Sequence, residues 1–137
     1  GKSENRIGAF LAKQGKQAQS FFKIATKAGI TRDPEGKRKF DNSPGHLRAS
    51  LDASLQRLGV EQVELFYVHR RDSEISIEEV AGTLAELIKS GKTLQVGFSE
   101  IAPTQLSVPG ALWISCWNPA YWPQVAELSM PATFAQA

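Results

Sequence analysis

Val63-Glu64-Leu65-Phe66-Tyr67-Val68-His69, then Ser76-Ile77-Glu78-Glu79-Val80, then Thr93-Leu94-Gln95-Val96-Gly97-Phe98 are the segments whose order sets the fold. The first is short, apolar and rich in aromatic and β-branched residues, so it reads as a strand. Asp72, Ser73 and Glu74 break it. Ser76 and Glu79 then form a capping box, in which each side chain meets a free backbone N–H at a helix start. Ile77, Val80, Leu84, Leu87 and Ile88 recur at helical spacing, and Gly91 ends that helix. Residues 93–98 form the next strand. A strand, a helix and a strand in this order make one βα crossover and imply a parallel sheet.

The same alternation extends toward residue 1. Ser43 is an expected N-cap with Pro44 at the first helical position, where a missing N–H costs nothing. Leu47, Leu51, Leu55 and Leu58 line one face of this helix, and Gly59 stops it. Phe21-Phe22-Lys23-Ile24-Ala25-Thr26 reads as an earlier strand that stops at Lys27, Ala28 and Gly29. Ser3 is an expected N-cap for a first helix with Ile7, Phe10 and Leu11 on its apolar face. Residues 15–20 and the polar stretch 30–43 read as loops. The second is long, with Asp33-Pro34 and Glu35-Gly36 as turn signals, and long loops inside compact domains are often functional. Ala102-Pro103 reads as one more helix start.

Composition narrows the class. Sixteen Lys+Arg against fourteen Asp+Glu leave +2 in 137 residues, too balanced to argue for a nucleic-acid or membrane partner. No apolar run approaches the ~20 residues of a membrane helix. A single cysteine, Cys116, excludes a disulfide framework and a Cys-rich zinc site. Without a His/Asn context it reads as an inert buried thiol. The polar opening Gly1-Lys2-Ser3-Glu4 lacks the apolar core of a signal peptide, so a cytoplasmic location is expected. From residue 107 the character changes. Residues 107–137 hold one charged residue (Glu127), all three Trp, Cys116, Met130 and four of the seven prolines. No helix or strand period fits Pro119–Pro131, so the stretch reads either as an unusual insertion or as the product of a shifted reading frame. The chain thus divides into residues 1–106 and an atypical Trp- and Pro-rich tail, 107–137.

Ligands of parallel α/β sheets bind at the carboxyl ends of the strands. Lys27, His69 and Ser99 each follow an apolar run, so parallel strands would bring a cation, an imidazole and a hydroxyl to one rim. Spacing alone also admits plainer roles. Lys27 reads as a solvated loop residue, His69 equally as a half-buried structural histidine, and Ser99 as a turn or capping residue. Arg70, Arg71 and Asp72 read as a surface charge cluster, and His46 as a surface residue. Glu78 and Glu79 suit the dipole at a helix start rather than acid–base work. There is no Gly-rich phosphate loop, zinc spacing or nucleophile elbow.

Five pieces in order resemble the aldo-keto reductases. Gly1-Lys2-Ser3-Glu4 with Gly8 looks like the segment after the family's catalytic tyrosine. Ile24-Ala25-Thr26-Lys27 looks like the strand ending in its catalytic lysine. Leu51-Asp52-Ala53-Ser54-Leu55-Gln56-Arg57-Leu58-Gly59-Val60 is similar to the signature helix. Leu65-Phe66-Tyr67-Val68-His69-Arg70 resembles the strand of the catalytic histidine, in a form closer to the bacterial and plant monomeric branches. Glu86-Leu87 with Gly91-Lys92, followed by Gly97-Phe98-Ser99-Glu100, completes the match, which runs from Gly1 to about Leu106. The resemblance implies a partial (β/α)8 TIM barrel of about three to four parallel βα units. It also implies NADPH-dependent reduction of a small-molecule aldehyde or ketone without a metal. It would make Lys27 the cation that lowers the tyrosine's pKa and His69 the group that orients the carbonyl. Ser99 and Glu100 would hold the nicotinamide carboxamide. Many members carry Asn where Glu100 stands, and Glu keeps an acceptor but loses the amide donor.

The family's aspartate and tyrosine belong just before residue 1, and neither Tyr67 nor Tyr121 occupies the motif position. The later strands belong after Leu106, and the tail does not resemble them. A complete barrel takes ~250 residues. Open barrel edges are expected to favour self-association. Two alternatives therefore stand beside the reductase: a non-catalytic half-barrel that binds a partner or itself, and an inactive truncated fragment.

Overall fold

The computed structural model describes residues 1–15 and 21–99. Its elements are α1 (Lys2–Gln14), β1 (Ala25–Ala28), β2 (Ile30–Arg32), β3 (Arg38–Phe40), α2 (Pro44–Leu58), β4 (Val63–His69), α3 (Ile77–Lys89) and β5 (Thr93–Ser99). The loop expected over 16–20, Glu100, the helix start at Ala102-Pro103 and the whole tail, with Cys116 and Tyr121, lie outside the described residues. No described helix is long and apolar enough to cross a membrane.

Strands β1, β4 and β5 form a parallel sheet in that order, as the alternation of periods requires. Phe66 and Val68 of β4 sit in register with Thr26 and Ala28 of β1, and with Val96 and Phe98 of β5. Side chains alternate across a strand, so these residues share one face. Leu47, Leu51, Leu55 and Leu58 of α2 and Ile77, Val80, Leu84 and Leu87 of α3 pack against that face in one core. Both helices begin as their sequences demand. The Ser43 hydroxyl accepts the His46 N–H and the Ser76 hydroxyl accepts the Glu79 N–H at 3.1 Å. Gly59 closes α2 in the left-handed conformation at φ 67°.

Four expectations need correction. The first strand starts at Ala25 and includes Lys27. Phe21 and Phe22 stay out of the sheet: their rings stack edge to face at 5.4 Å, and Phe22 meets Phe10 at 5.9 Å. The stretch expected as a long loop over 30–43 contains an antiparallel hairpin, with Ile30, Thr31 and Arg32 opposite Phe40, Lys39 and Arg38. Asp33 closes its turn, accepting the Gly36 N–H at 2.9 Å on its carbonyl and the Lys37 N–H at 2.7 Å on its carboxylate. Helix α1 is capped by Gly1, whose carbonyl accepts the Asn5 N–H, so Ser3 lies inside the first turn. Finally, α1 buries Gly8 and Leu11, whereas Ile7 and Phe10 remain 44% and 46% exposed.

That rotation of α1 has two causes. A Cβ on Gly8 would stand 2.3 Å from the Arg57 carbonyl, so glycine lets α1 close onto the end of α2. One turn earlier, Glu4 accepts from Arg57 Nε at 2.6 Å and from Thr26 Oγ1 at 2.5 Å, with Ser54 Oγ 3.3 Å from Thr26 and 3.2 Å from Arg57 Nη2. This network joins α1, α2 and β1 beneath the sheet. The exposed ion pairs Arg48–Glu86 and Lys92–Asp52 add little, since water screens such pairs.

Burial raises the pKa of Glu4, but hydrogen bonds from Thr26, Arg57 and Ser54 and the Arg57 charge outweigh it and hold the carboxyl below its ordinary value of 4.5. The stabilisation is therefore complete above pH 4.5 and is lost as pH falls through the lower folded-state value. Glu4→Gln is expected to cost about 1–3 kcal/mol at pH 7. Urea titrations of chain and variant at pH 7 and below pH 4 should show that gap narrowing in acid.

Candidate active site

The face of the sheet opposite the helices carries the residues singled out from the sequence. Lys27 is in register with Tyr67, Tyr67 with Gly97, and His69 with Ser99. All of them have the parity opposite to that of Phe66 and Val68, so they point away from the helical core. Lys27, His69 and Ser99 thus gather on one side of the sheet near its carboxyl end, as parallel pairing predicts. Glu100 lies outside the described residues.

Their settings differ. Lys27 is exposed, and its Nζ stands 5.6 Å from the centroid of the Tyr67 ring. Tyr67 is 6% exposed. His69 is half-buried, and Ser99 is 7% exposed with its carbonyl accepting the Arg70 N–H at 3.0 Å. Gly97 puts no side chain between Tyr67 and the far edge of this face.

Loops above the strand ends frame this rim. The hairpin leaves β1 through Gly29, whose φ of +104° suits glycine alone. A Cβ at that position would lie 3.2 Å from the His69 carbonyl and 2.8 Å from Asn42 Nδ2. Asp41 returns the chain, donating its N–H to the Gly29 carbonyl at 3.0 Å. Asn42 is fully buried and accepts the Asp72 N–H at 2.7 Å, tying the hairpin to the loop after β4. Its Nδ2 and the buried Nε of Arg71 have no hydrogen-bond partner among the described residues. Arg70 adopts a left-handed backbone at φ 67°, an uncommon state for a residue with a Cβ, and its guanidinium lies 6.0 Å from the Phe40 ring.

The expected surface charge cluster is thus more constrained than its composition suggests: Arg71 and Asp72 are half-buried. His46 also differs from expectation. It is half-buried, with Nδ1 3.9 Å from Asp41 and Nε2 3.3 Å from the Ser50 hydroxyl. The Asp41 carboxyl is held below its ordinary range by hydrogen bonds from Ser43, against burial, with the His46 and Lys39 charges assisting. Of the residues that sequence reasoning passed over, Tyr67 carried a usable signal: it lies two positions before His69 in one strand and so shares its face. Asn42 and Gly29 carried none, because their roles arise only when two loops meet.

Parallel βα units that gather polar strand-end side chains on the face away from the helices belong to the class of βα-barrel proteins. A model of the aldo/keto reductase family matches residues 1–119. An aldo-keto reductase [NADP(+)] from Schizosaccharomyces pombe is 32% identical over 133 residues, 96% of this chain and 38% of that protein. An L-glyceraldehyde 3-phosphate reductase from Escherichia coli is 40% identical over 103 residues, 75% of this chain and 30% of that protein. The solved structure of a glycerol dehydrogenase from Gluconobacter oxydans aligns with a TM-score of 0.67 at 32% identity, covering 75% of this chain and 32% of that one. The chain belongs to the aldo/keto reductase family. The family fold is a (β/α)8 barrel, present here in part, and the described residues form no closed sheet. The chain spans well under half the length of these relatives.

Gly29→Ala is expected to lose about 1–3 kcal/mol, from backbone strain together with crowding against Asn42 and His69. Thermal unfolding checks the loss. The His69 imidazole resonances, followed by NMR, should move in the same variant, because the new methyl presses on the backbone of that residue.

Proposed function

We propose that the chain is the central part of an NADPH-dependent carbonyl reductase, with Lys27 and His69 in its catalytic site and Ser99 and Glu100 in its cofactor site. The observation that carries the reading is the shared face of Lys27, His69 and Ser99 at the carboxyl end of three parallel strands. Two features of that face would suit a planar ring system. Gly97 adds no bulk, and Ser99 offers a small buried hydroxyl in register with His69. The bound nicotinamide would supply hydride to the carbonyl carbon.

The remaining chemistry falls to protein side chains, of which this chain carries Lys27, His69, Ser99 and Glu100. Lys27 would place a cation beside the phenol of the family's tyrosine, which belongs before residue 1, and make it a better acid, because the charge stabilises the phenolate. His69 donates a hydrogen bond to the carbonyl oxygen and fixes its direction. The Ser99 hydroxyl and the Glu100 carboxylate would hold the nicotinamide carboxamide, Glu100 as an acceptor only. The same proposal includes a cytoplasmic location and the division of the chain near residue 106. The family resemblance supports the residue roles, and the abrupt change in composition supports the division.

Lys27→Met and His69→Ala in the full gene product are expected to lower kcat by at least about 100-fold for a test aldehyde, with circular dichroism unchanged. Reduction at the unmutated rate by either variant removes that residue from the site.

A second reading, a half-barrel that pairs with another copy, is favoured by the apolar side chains left open on α1. Ile7 and Phe10, with Phe22, line a cavity of about 350 Å³ at the surface. Sedimentation velocity on the 137-residue chain tests it. A stable dimer is its expected result, and a monodisperse monomer across the concentration range overturns it.

A further inference from the structure

A lysine on a strand is a poor positioning device by itself. Its four-carbon stem carries about 2 kcal/mol of rotamer entropy, and Lys27 is exposed on β1. Within the described sheet β1 has a single neighbour, β4, and the residue across from Lys27 is Tyr67. The Tyr67 ring is buried by its surroundings, so it presents a fixed aromatic surface, with the Lys27 ammonium 5.6 Å from its centroid. That distance lies within the reach at which the ring's quadrupole attracts a cation. Gly97, on the other side of Tyr67, leaves no side chain to compete for the ring from that direction. Tyr67 also precedes His69 by two residues, so strand geometry sets the anchor of the cation about 7 Å below the imidazole position.

We propose that Tyr67 is a positioning residue for Lys27: its buried ring clamps the ammonium against β4 and directs it toward the rim that carries His69. The clamp as a contact stands on the geometry, whereas its value for catalysis rests on the reductase reading above. The ring is the active part and the hydroxyl is dispensable. Phenylalanine at 67 therefore keeps the clamp and leucine loses it.

The contact can be read without turnover. Reductive methylation of the 137-residue chain with ¹³C-formaldehyde keeps every lysine charged and gives one ¹H–¹³C signal per amine, with Lys27→Arg identifying the Lys27 signal. That signal should stand upfield of the cluster formed by the other lysines, because of the ring current. It should stay displaced in Tyr67→Phe and rejoin the cluster in Tyr67→Leu. A Lys27 signal inside the cluster in the unmutated chain overturns the clamp, and this arm holds even if Tyr67→Leu fails to fold. In the full gene product, Tyr67→Leu should lower kcat about two- to fivefold at unchanged KM, with Tyr67→Phe restoring the rate. A displaced signal together with an unchanged kcat in Tyr67→Leu overturns the positioning role. Failure of the reductase reading looks different: Lys27→Met then leaves turnover unaltered while the displaced Lys27 signal of the unmutated chain persists.

Discussion

Side chains alternate along a strand, so the register of β1, β4 and β5 decides which residues meet and which are kept apart. With Thr26 opposite Phe66 and Lys27 opposite Tyr67, the apolar residues of three strands fall on the helical side, and the cation, imidazole and hydroxyl fall on the other. A slip of one residue in β1 would turn Lys27 into the core beneath α2, where an unpaired charge is costly, and would expose Ala28 and Thr26 on the open face. The Glu4–Thr26–Ser54–Arg57 network resists that slip, because it holds the Thr26 hydroxyl on the Glu4 carboxylate. A polar cluster beneath the sheet thus fixes what stands on the sheet's other face.

Loops complete the rim by packing on one another. The hairpin β2–β3 emerges where β1 ends, and Gly29 lets it fold back over the backbone of His69 without a side chain in the way. Asn42 then carries the restraint across to Asp72. The left-handed backbone of Arg70, with its guanidinium over Phe40, adds a further link between the hairpin and the end of β4. Rigid strands supply positions here, and loops tied to one another supply the walls, the division of labour expected of a barrel's carboxyl face.

Several elements were legible residue by residue. Val63–His69, the hydroxyl caps at Ser43 and Ser76, the stop at Gly59 and the helical faces of Leu47 to Leu58 and Ile77 to Leu87 emerged as read, because each depends on contacts a few residues apart, whereas Ile88, read on the same face as Leu87, is 36% exposed. The hairpin did not. Its strands are three residues each, with Ile30 and Phe40 as the main apolar residues, too short to show a period. Phe21 and Phe22 carried a strand-like composition, yet β1 begins only where pairing with Leu65 begins. In α1 the visible apolar residues Ile7 and Phe10 misled, because the close approach at Gly8 and the ion pair at Glu4 turn the helix the other way.

The amino-acid sequence by itself determined the alternation of helix and strand, the parallel sheet it demands, and the family, whose model matches residues 1–119. It also placed Lys27, His69 and Ser99 at strand ends, since local periodicity and capping chemistry act within a few residues. Only the tertiary structure decided that Tyr67 lies across from Lys27, that Gly29 abuts His69, and that Asn42 joins two loops. These are pairings between residues 30 to 40 positions apart in the chain for Asn42–Asp72, Gly29–His69 and Lys27–Tyr67. They depend on the register that buries the apolar face of the whole sheet, a condition no local stretch of sequence expresses.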